Sequence, residues 1–152
     1  MSTIEQNQPQ FVLQRIYLKD ASFEVPHAPE IFLTQWEPKI DINLETFAKN
    51  IGENTYESLI FVSVTASVDD KIAFIAEVKQ AGIFSIANIP EDQINPILNI
   101  TCANIIFPFL RSALCDLIVK GSFPQFLIDP INFEVLYQQQ VENQAITTET
   151  TH

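Results

Sequence analysis

The chain has 152 residues, 19 acidic against 8 basic side chains, a formal net charge of −11 and a hydrophobic share of 47%. That length suits one domain, which buries about 70% of the surface its unfolded chain exposes and so needs neither metal nor disulfide to fold. Such acidity repels phosphate and argues against nucleic acid or anionic membrane; it suits a basic protein partner or a basic unfolded segment, although solubility alone would also account for it.

Residues 1–10 are polar and are expected to be loose. From Phe11 the pattern turns extended. Phe11, Leu13, Tyr17, Phe23 and Val25 share one parity, and Val12, Ile16 and Leu18 share the other with Gln14, Asp20, Ser22 and Glu24. A long, imperfect strand is predicted, apolar on both faces near its start. Pro26-His27-Ala28-Pro29 ends it, because proline lacks a donor and restricts the residue before it. A crossing loop through Phe32 and Trp36 follows. Residues 38–46 alternate Ile40, Ile42 and Leu44 against Lys39, Asp41, Asn43 and Glu45, as a half-buried strand does. Turn material at 50–54, a β-branched and aromatic run at 56–67, a turn at Asp69-Asp70 and a fourth strand at 72–80 complete the first half. Successive short connections predict an antiparallel meander.

The second half changes period. Glu91-Asp92 opens a short helix interrupted near Pro96. A longer helix is predicted from Asn104, as N-cap, to Lys120, stopping at Gly121. A last helix covers 132–142, and the polar tail 143–152 is expected to be flexible, leaving 11–142 as one domain. On the long helix Ile106, Leu110, Ala113 and Leu117 form one apolar row and Phe107, Leu114 and Ile118 a second, with Phe109 and Val119 beside them. A helix on a sheet needs a single stripe. The surplus predicts self-association, unless the short helices of the same chain cover the second side. The fourth strand has the same ambiguity, with Ile75 opposite Ala76 and Glu77 opposite Val78 in facing.

Catalytic chemistry is scarce. Gly52, Gly82 and Gly121 cannot supply a phosphate loop, and His27 and His152 are far apart in sequence. Asp69-Asp70 could serve as an acid pair but reads more simply as a solvated turn. Cys102 and Cys115 lack metal-ligand spacing and are expected to be buried free thiols. No cofactor, metal or catalytic residue is expected. The first residues lack a basic start, and no run reaches eighteen apolar residues, so a cytoplasmic protein is expected. The proline- and aromatic-bearing loop over an apolar helix could wall a peptide groove, or Phe32 and Trp36 could merely finish the core.

Several blocks together resemble the bacterial protein-export chaperone family SecB. They are Gln14-Arg15-Ile16-Tyr17, Lys19-Asp20, Ser22-Phe23-Glu24, Pro26, Ala28-Pro29, Glu77-Val78, Gly82-Ile83-Phe84, Asn104-Ile105-Ile106-Phe107-Pro108 with Arg111, Gly121-Ser122-Phe123-Pro124 and Pro130-Ile131-Asn132-Phe133. The resemblance runs in order from about residue 11 to 137. It implies an α+β fold, a four-stranded antiparallel sheet with helices on one face, assembled as a dimer of dimers through sheets, edges and long helices. It implies an ATP-independent chaperone that holds unfolded secretory precursors and passes them to the motor ATPase SecA. By resemblance, Asp20, Glu24, Ile75 and Glu77 contact the motor, Phe32 and Trp36 belong to the client groove, and Ala76 and Val78 lie at the subunit interface, where the helix reading adds Leu110, Leu114 and Leu117. Two departures stand out: Ala76 replaces a cysteine of some relatives, and the tail lacks the basic residues that family tails can carry.

Overall fold

The computed structural model describes residues 8–150, with side chains through residue 144. Residues 1–7 and 151–152, including His152 and much of the terminus expected to be loose, lie outside the described residues. Four strands form one antiparallel sheet: β1 (Gln10–Glu24), β2 (Lys39–Gly52), β3 (Thr55–Val68) and β4 (Lys71–Ala87). Tight turns make the hairpins β2–β3 and β3–β4. In the second, Asp69 and Asp70 both take positive φ, 50° and 64°, the pair of conformations a two-residue hairpin with right-twisted strands requires.

The strand order is β1-β4-β3-β2, so the sheet is not a simple meander. The loop after β1, with its 3₁₀ turn at Glu30–Leu33, carries the chain across to the far edge, and β1 pairs with β4. The ambiguous pattern of β1 has a local cause. Register shifts lie between Leu13 and Arg15 and between Leu18 and Asp20. Each bulge adds one residue and reverses which parity faces the core. Phe11 and Leu13 therefore pair with the inward-facing Ile86 and Phe84, Tyr17 with Ala81 on the outward face, and Phe23 again with the inward Ala76. Strict alternation could not describe this strand.

One sheet face is covered. Ile60, Val62 and Val64 of β3 and Phe74, Ala76 and Val78 of β4 are wholly buried beneath helix α2 (Cys102–Lys120), which contributes Ile106, Leu110, Leu114 and Ile118 to the same core. The helix does not start at Asn104. Helix α1 (Glu91–Pro96) passes through a π-helical turn at Ile97–Thr101 directly into α2, and Asn104 is an exposed residue inside the rod. Pro96 cannot donate to the turn before it and crowds that turn's carbonyl; a wider turn beside it lets the helix continue rather than break. The Leu98 carbonyl accepts a bond from Ser58 Oγ at 2.7 Å, and Thr46 Oγ1 donates to Asn99 Oδ1 at 2.8 Å, so the irregular turn is anchored to the sheet. Glu91–Lys120 is then long and apolar enough by length and composition to cross a membrane, but its apolar side lies on the sheet.

Helix α3 (Phe133–Thr150) runs past the expected end at 142. Phe133 meets Phe107 edge-on at 5.7 Å, and Gln140 accepts the Thr46 N–H at 3.2 Å while donating back to the Thr46 carbonyl at 3.4 Å. That amide acts as a surrogate strand residue on the edge of β2.

The end of α2 separates two roles that sequence assigns to one glycine. Gly121 has φ −81°, and the left-handed residue is Ser122, at φ 66°. Gly121 is required for space instead: a Cβ there would collide with the Phe23 ring. Gly121→Ala should therefore cost about 1–3 kcal/mol through overpacking, whereas Ser122→Gly, which relieves a left-handed side chain, should stabilise by about 0.5–1 kcal/mol. Urea unfolding of the two variants checks both signs.

Candidate binding surfaces

The outward face of the sheet gathers the acidic candidates. Asp20, Ser22 and Glu24 of β1 lie opposite Lys79, Glu77 and Ile75 of β4 in consecutive register. Directly opposed residues share a face, so Asp20, Glu24, Ile75 and Glu77 form one patch, extended by Asp41 of β2 through Thr65. The second bulge makes this possible, since it turns both Lys19 and Asp20 outward. Asp20, Glu24 and Glu77 are exposed and Ile75 is half-buried, which gives a wet, charged rim around a small apolar centre.

A charged clamp sits farther along the same face. Tyr17 Oη donates a short hydrogen bond to Glu57, and Lys19 Nζ donates to both Glu57 carboxylate oxygens at 3.0 Å. The clamp bridges β1 to β3 over β4. Burial pushes the Glu57 carboxyl up, but the bonds from Tyr17 and Lys19 and the charges of Lys19 and Lys49 outweigh it and hold the group below its ordinary range. Burial first, then the bond to Glu57 and its charge, push the Tyr17 phenol up to about 12. Beside the clamp opens a cavity of about 620 Å³ between Lys19, Lys49, Lys79 and the apolar side chains Phe47, Leu59 and Phe61. Sequence reading missed both features, because the clamp joins β1 to β3 and the cavity draws residues from all four strands.

The loop candidates are placed by an aromatic cluster at the C-terminal end of α2. Trp36 lies 5.2 Å from Phe123 and 6.5 Å from Phe74, and Phe32 stacks on Phe123 at 5.3 Å. Trp36 is half-buried and Phe32 is 48% exposed: each packs on the aromatic cluster, and Phe32 keeps a free face. Two apolar residues that the pattern did not single out are more open, Leu33 beside Phe32 at 88% and Leu127 in the segment after α2 at 60% exposed.

The interface candidates divide sharply. Ala76, Val78, Leu110 and Leu114 are all at 0–1% exposure within one subunit, so their side chains have no surface left to offer a second copy. They support the sheet–helix contact instead. Leu117 is half-buried. The open apolar residues of α2 are Phe109 and Val119, at 50% and 53% exposed. A second apolar strip lies on the edge strand β1, where Phe11, Val12, Leu13 and Leu18 are exposed. Cys102 is a buried free thiol whose pKa burial pushes up to about 12; Cys115 is only half-buried and donates to the Phe126 carbonyl at 3.4 Å. Among the described residues no cluster of three His, Cys, Asp or Glu side chains is placed to hold a metal ion.

A family profile described as Preprotein translocase subunit SecB matches residues 4–144. A protein-export protein SecB of Psychrobacter arcticus is 49% identical over 141 residues, covering 91% of this chain and 95% of that one. Those of Janthinobacterium sp. and Methylobacillus flagellatus are 48% and 43% identical, covering 91% and 93% of this chain and 84% and 90% of theirs. Among solved structures, a SecB-like chaperone of Mycobacterium tuberculosis, in complex with a peptide from an antitoxin, superposes with a TM-score of 0.67 at 14% identity, covering 80% of this chain and 90% of that one. At that identity the likeness concerns the fold.

The Tyr17–Glu57–Lys19 clamp makes stability depend on pH in a defined direction. Tyr17→Phe leaves a buried carboxylate with one donor fewer and should cost about 1–3 kcal/mol at pH 7. A carboxyl whose folded pKa is depressed contributes stability above its unfolded value and loses it as pH falls through the folded one. The gap between wild type and Tyr17→Phe should therefore narrow below about pH 4, read by urea titration at pH 7 and in acid; a gap that widens in acid would contradict the clamp.

Proposed function

The chain belongs to the SecB family, and on that premise we propose that it keeps unfolded secretory precursors export-competent in the cytoplasm, without nucleotide, and passes them to the SecA motor ATPase. The observation that carries this reading is the separation of two surfaces. The aromatic ledge of Phe32 and Trp36 rests on Phe123 beside the helix layer, whereas Asp20, Glu24, Ile75 and Glu77 share the opposite, uncovered sheet face. A client on the first leaves the second free for a basic partner. Release then needs only a competing partner, not hydrolysis.

Clients of this type expose apolar segments, and each contact with a shallow aromatic ledge is weak. Several ledges in one assembly bind the same long chain with far higher avidity. We place the assembly, a dimer of dimers, on the surface that the single subunit leaves apolar and open: Phe109 and Val119 of α2, and the β1 edge with Phe11, Val12, Leu13 and Leu18. An edge strand with that many exposed apolar side chains is a template for pairing with another copy.

Glu24→Lys or Glu77→Lys should weaken binding of the motor by about tenfold or more, which is about 1.4 kcal/mol, and leave precursor binding unchanged. Deleting 143–152, a segment with a single acid and no Lys or Arg, should matter less. Calorimetry decides between them; full motor affinity in both reversals with loss in the truncation moves the contact to the tail. Trp36→Ala should weaken precursor binding with secondary structure retained, and emission of Trp36, the sole tryptophan, should respond to unfolded precursor. Phe109→Asp should shift the assembly to smaller species in sedimentation velocity while the subunit stays folded, whereas Leu110→Asp, at 0% exposure, should unfold it.

A further inference from the structure

The cavity on the uncovered sheet face is a feature that neither motor docking nor client capture uses. Its floor is apolar: Phe47 of β2 and Leu59 and Phe61 of β3. Three of the chain's eight basic residues, Lys19, Lys49 and Lys79, surround it on a protein of net charge −11. Lys19 is committed to Glu57, the one ion pair among the described residues. Lys79 has no such pair; its ammonium lies 5.9 Å from the centre of the Phe61 ring. Lys49 stands opposite Glu57 in register, and its charge acts on a carboxylate that Lys19 already holds on both oxygens. The acids near the floor are Glu57, whose charge Lys19 offsets, Glu45, on the β2 side of Phe61, and Asp20, which faces Lys79 across β1 and β4 and forms no ion pair with it among the described residues.

The register fixes how the cations are spaced. Lys79 opposes Phe61, and Lys49 opposes Glu57, with Leu59 and its neighbour Phe47 between the two rows. Four residue steps along β3 separate those rows, about 13 Å at roughly 3.3 Å per residue, and two strand spacings, roughly 10 Å, separate Lys79 on β4 from Lys49 on β2. An extended peptide lying obliquely across β3 covers the distance along the strand in four residue steps, the long lysine side chains reaching in from either side, and its positions i, i+2 and i+4 point to one side.

We infer that this cavity binds an extended segment of a partner protein with the pattern acid–x–aromatic–x–acid. The aromatic ring sits on Leu59, Phe61 and Phe47, one carboxylate meets Lys79 and the other Lys49. Charge complementarity selects the occupant: an apolar floor with a cation at each end rejects basic segments, which the acidic patch at the other end of the same face attracts. The volume of about 620 Å³ is within the range of ligand sites and takes one aromatic side chain with its flanking backbone.

The test uses the full chain and a capped pentapeptide, Glu-Ser-Phe-Ser-Glu, titrated by calorimetry. It should bind about tenfold or more tightly than the same peptide with lysines at the ends or with alanine at the centre. Lys79→Glu should lower its affinity by a similar factor, and Lys79→Arg should retain it. Glu24→Lys should leave it unchanged, which separates this site from motor docking. Added salt should weaken it. Equal binding of the lysine-ended peptide, or full affinity in a folded Lys79→Glu variant, overturns the inference. So does 3-phenylpropionate binding as tightly as the peptide, since the site would then serve a small amphipathic carboxylate.

Discussion

Helix α2 lying across the inner face of β4 is the contact on which the other features depend. β4 is flanked by β1 and β3, and its inward residues Phe74, Ala76 and Val78 are completely covered. Burying one such face under Ile106, Leu110, Leu114 and Ile118 removes a large apolar area from water, at about 25 cal/mol per Å². Small Ala76 lets the helix approach. Every residue of β4 that points the other way is then committed to the open face, so this packing also presents Ile75, Glu77 and Lys79.

That open face is divided along the strands. One end is acidic with a small apolar centre; the other is an apolar floor ringed by lysines and closed by the Tyr17–Glu57–Lys19 clamp. The clamp matters because β1 carries two bulges, each of which loosens its ladder with β4. A side-chain bridge from β1 across to β3 holds the edge strand where pairing alone is interrupted. The same bulge that calls for the clamp sets Asp20 and Glu24 outward, so strand irregularity and surface chemistry have a common origin.

The aromatic cluster couples the loop to the helix end. Phe23, Phe32, Trp36, Phe74 and Phe123 come from β1, the crossing loop, β4 and the segment after α2. Their mutual packing explains why the chain leaves α2 through a residue without a side chain at 121. It also holds the loop, which has backbone bonds of its own around the 3₁₀ turn, against the core, with Phe32 and Leu33 left facing water.

Much of this was legible along the chain. The alternation of 38–46 and 56–67 and the turn at Asp69-Asp70 follow from local side-chain preference, and local preference needs no knowledge of neighbours. The acidic pair Asp20 and Glu24 could be placed on one side because no bulge falls between them. Reading failed where a distant partner decided. Leu110 and Leu114 were indistinguishable from Phe109 in hydrophobicity, yet only the sheet below determines which of them is buried. Asn104 had the chemistry of a cap, but the π turn carried the helix past Pro96 because Ser58 and Thr46 on the sheet could satisfy its irregular backbone and side chains. The sequence by itself determined strands, helices and the surplus of apolar and acidic surface, since these rest on periodicity and composition. The tertiary structure alone decided the crossing of β1 to β4, the facing reversals at its bulges and the lysine-ringed cavity, since each arises from pairing between segments far apart in the chain.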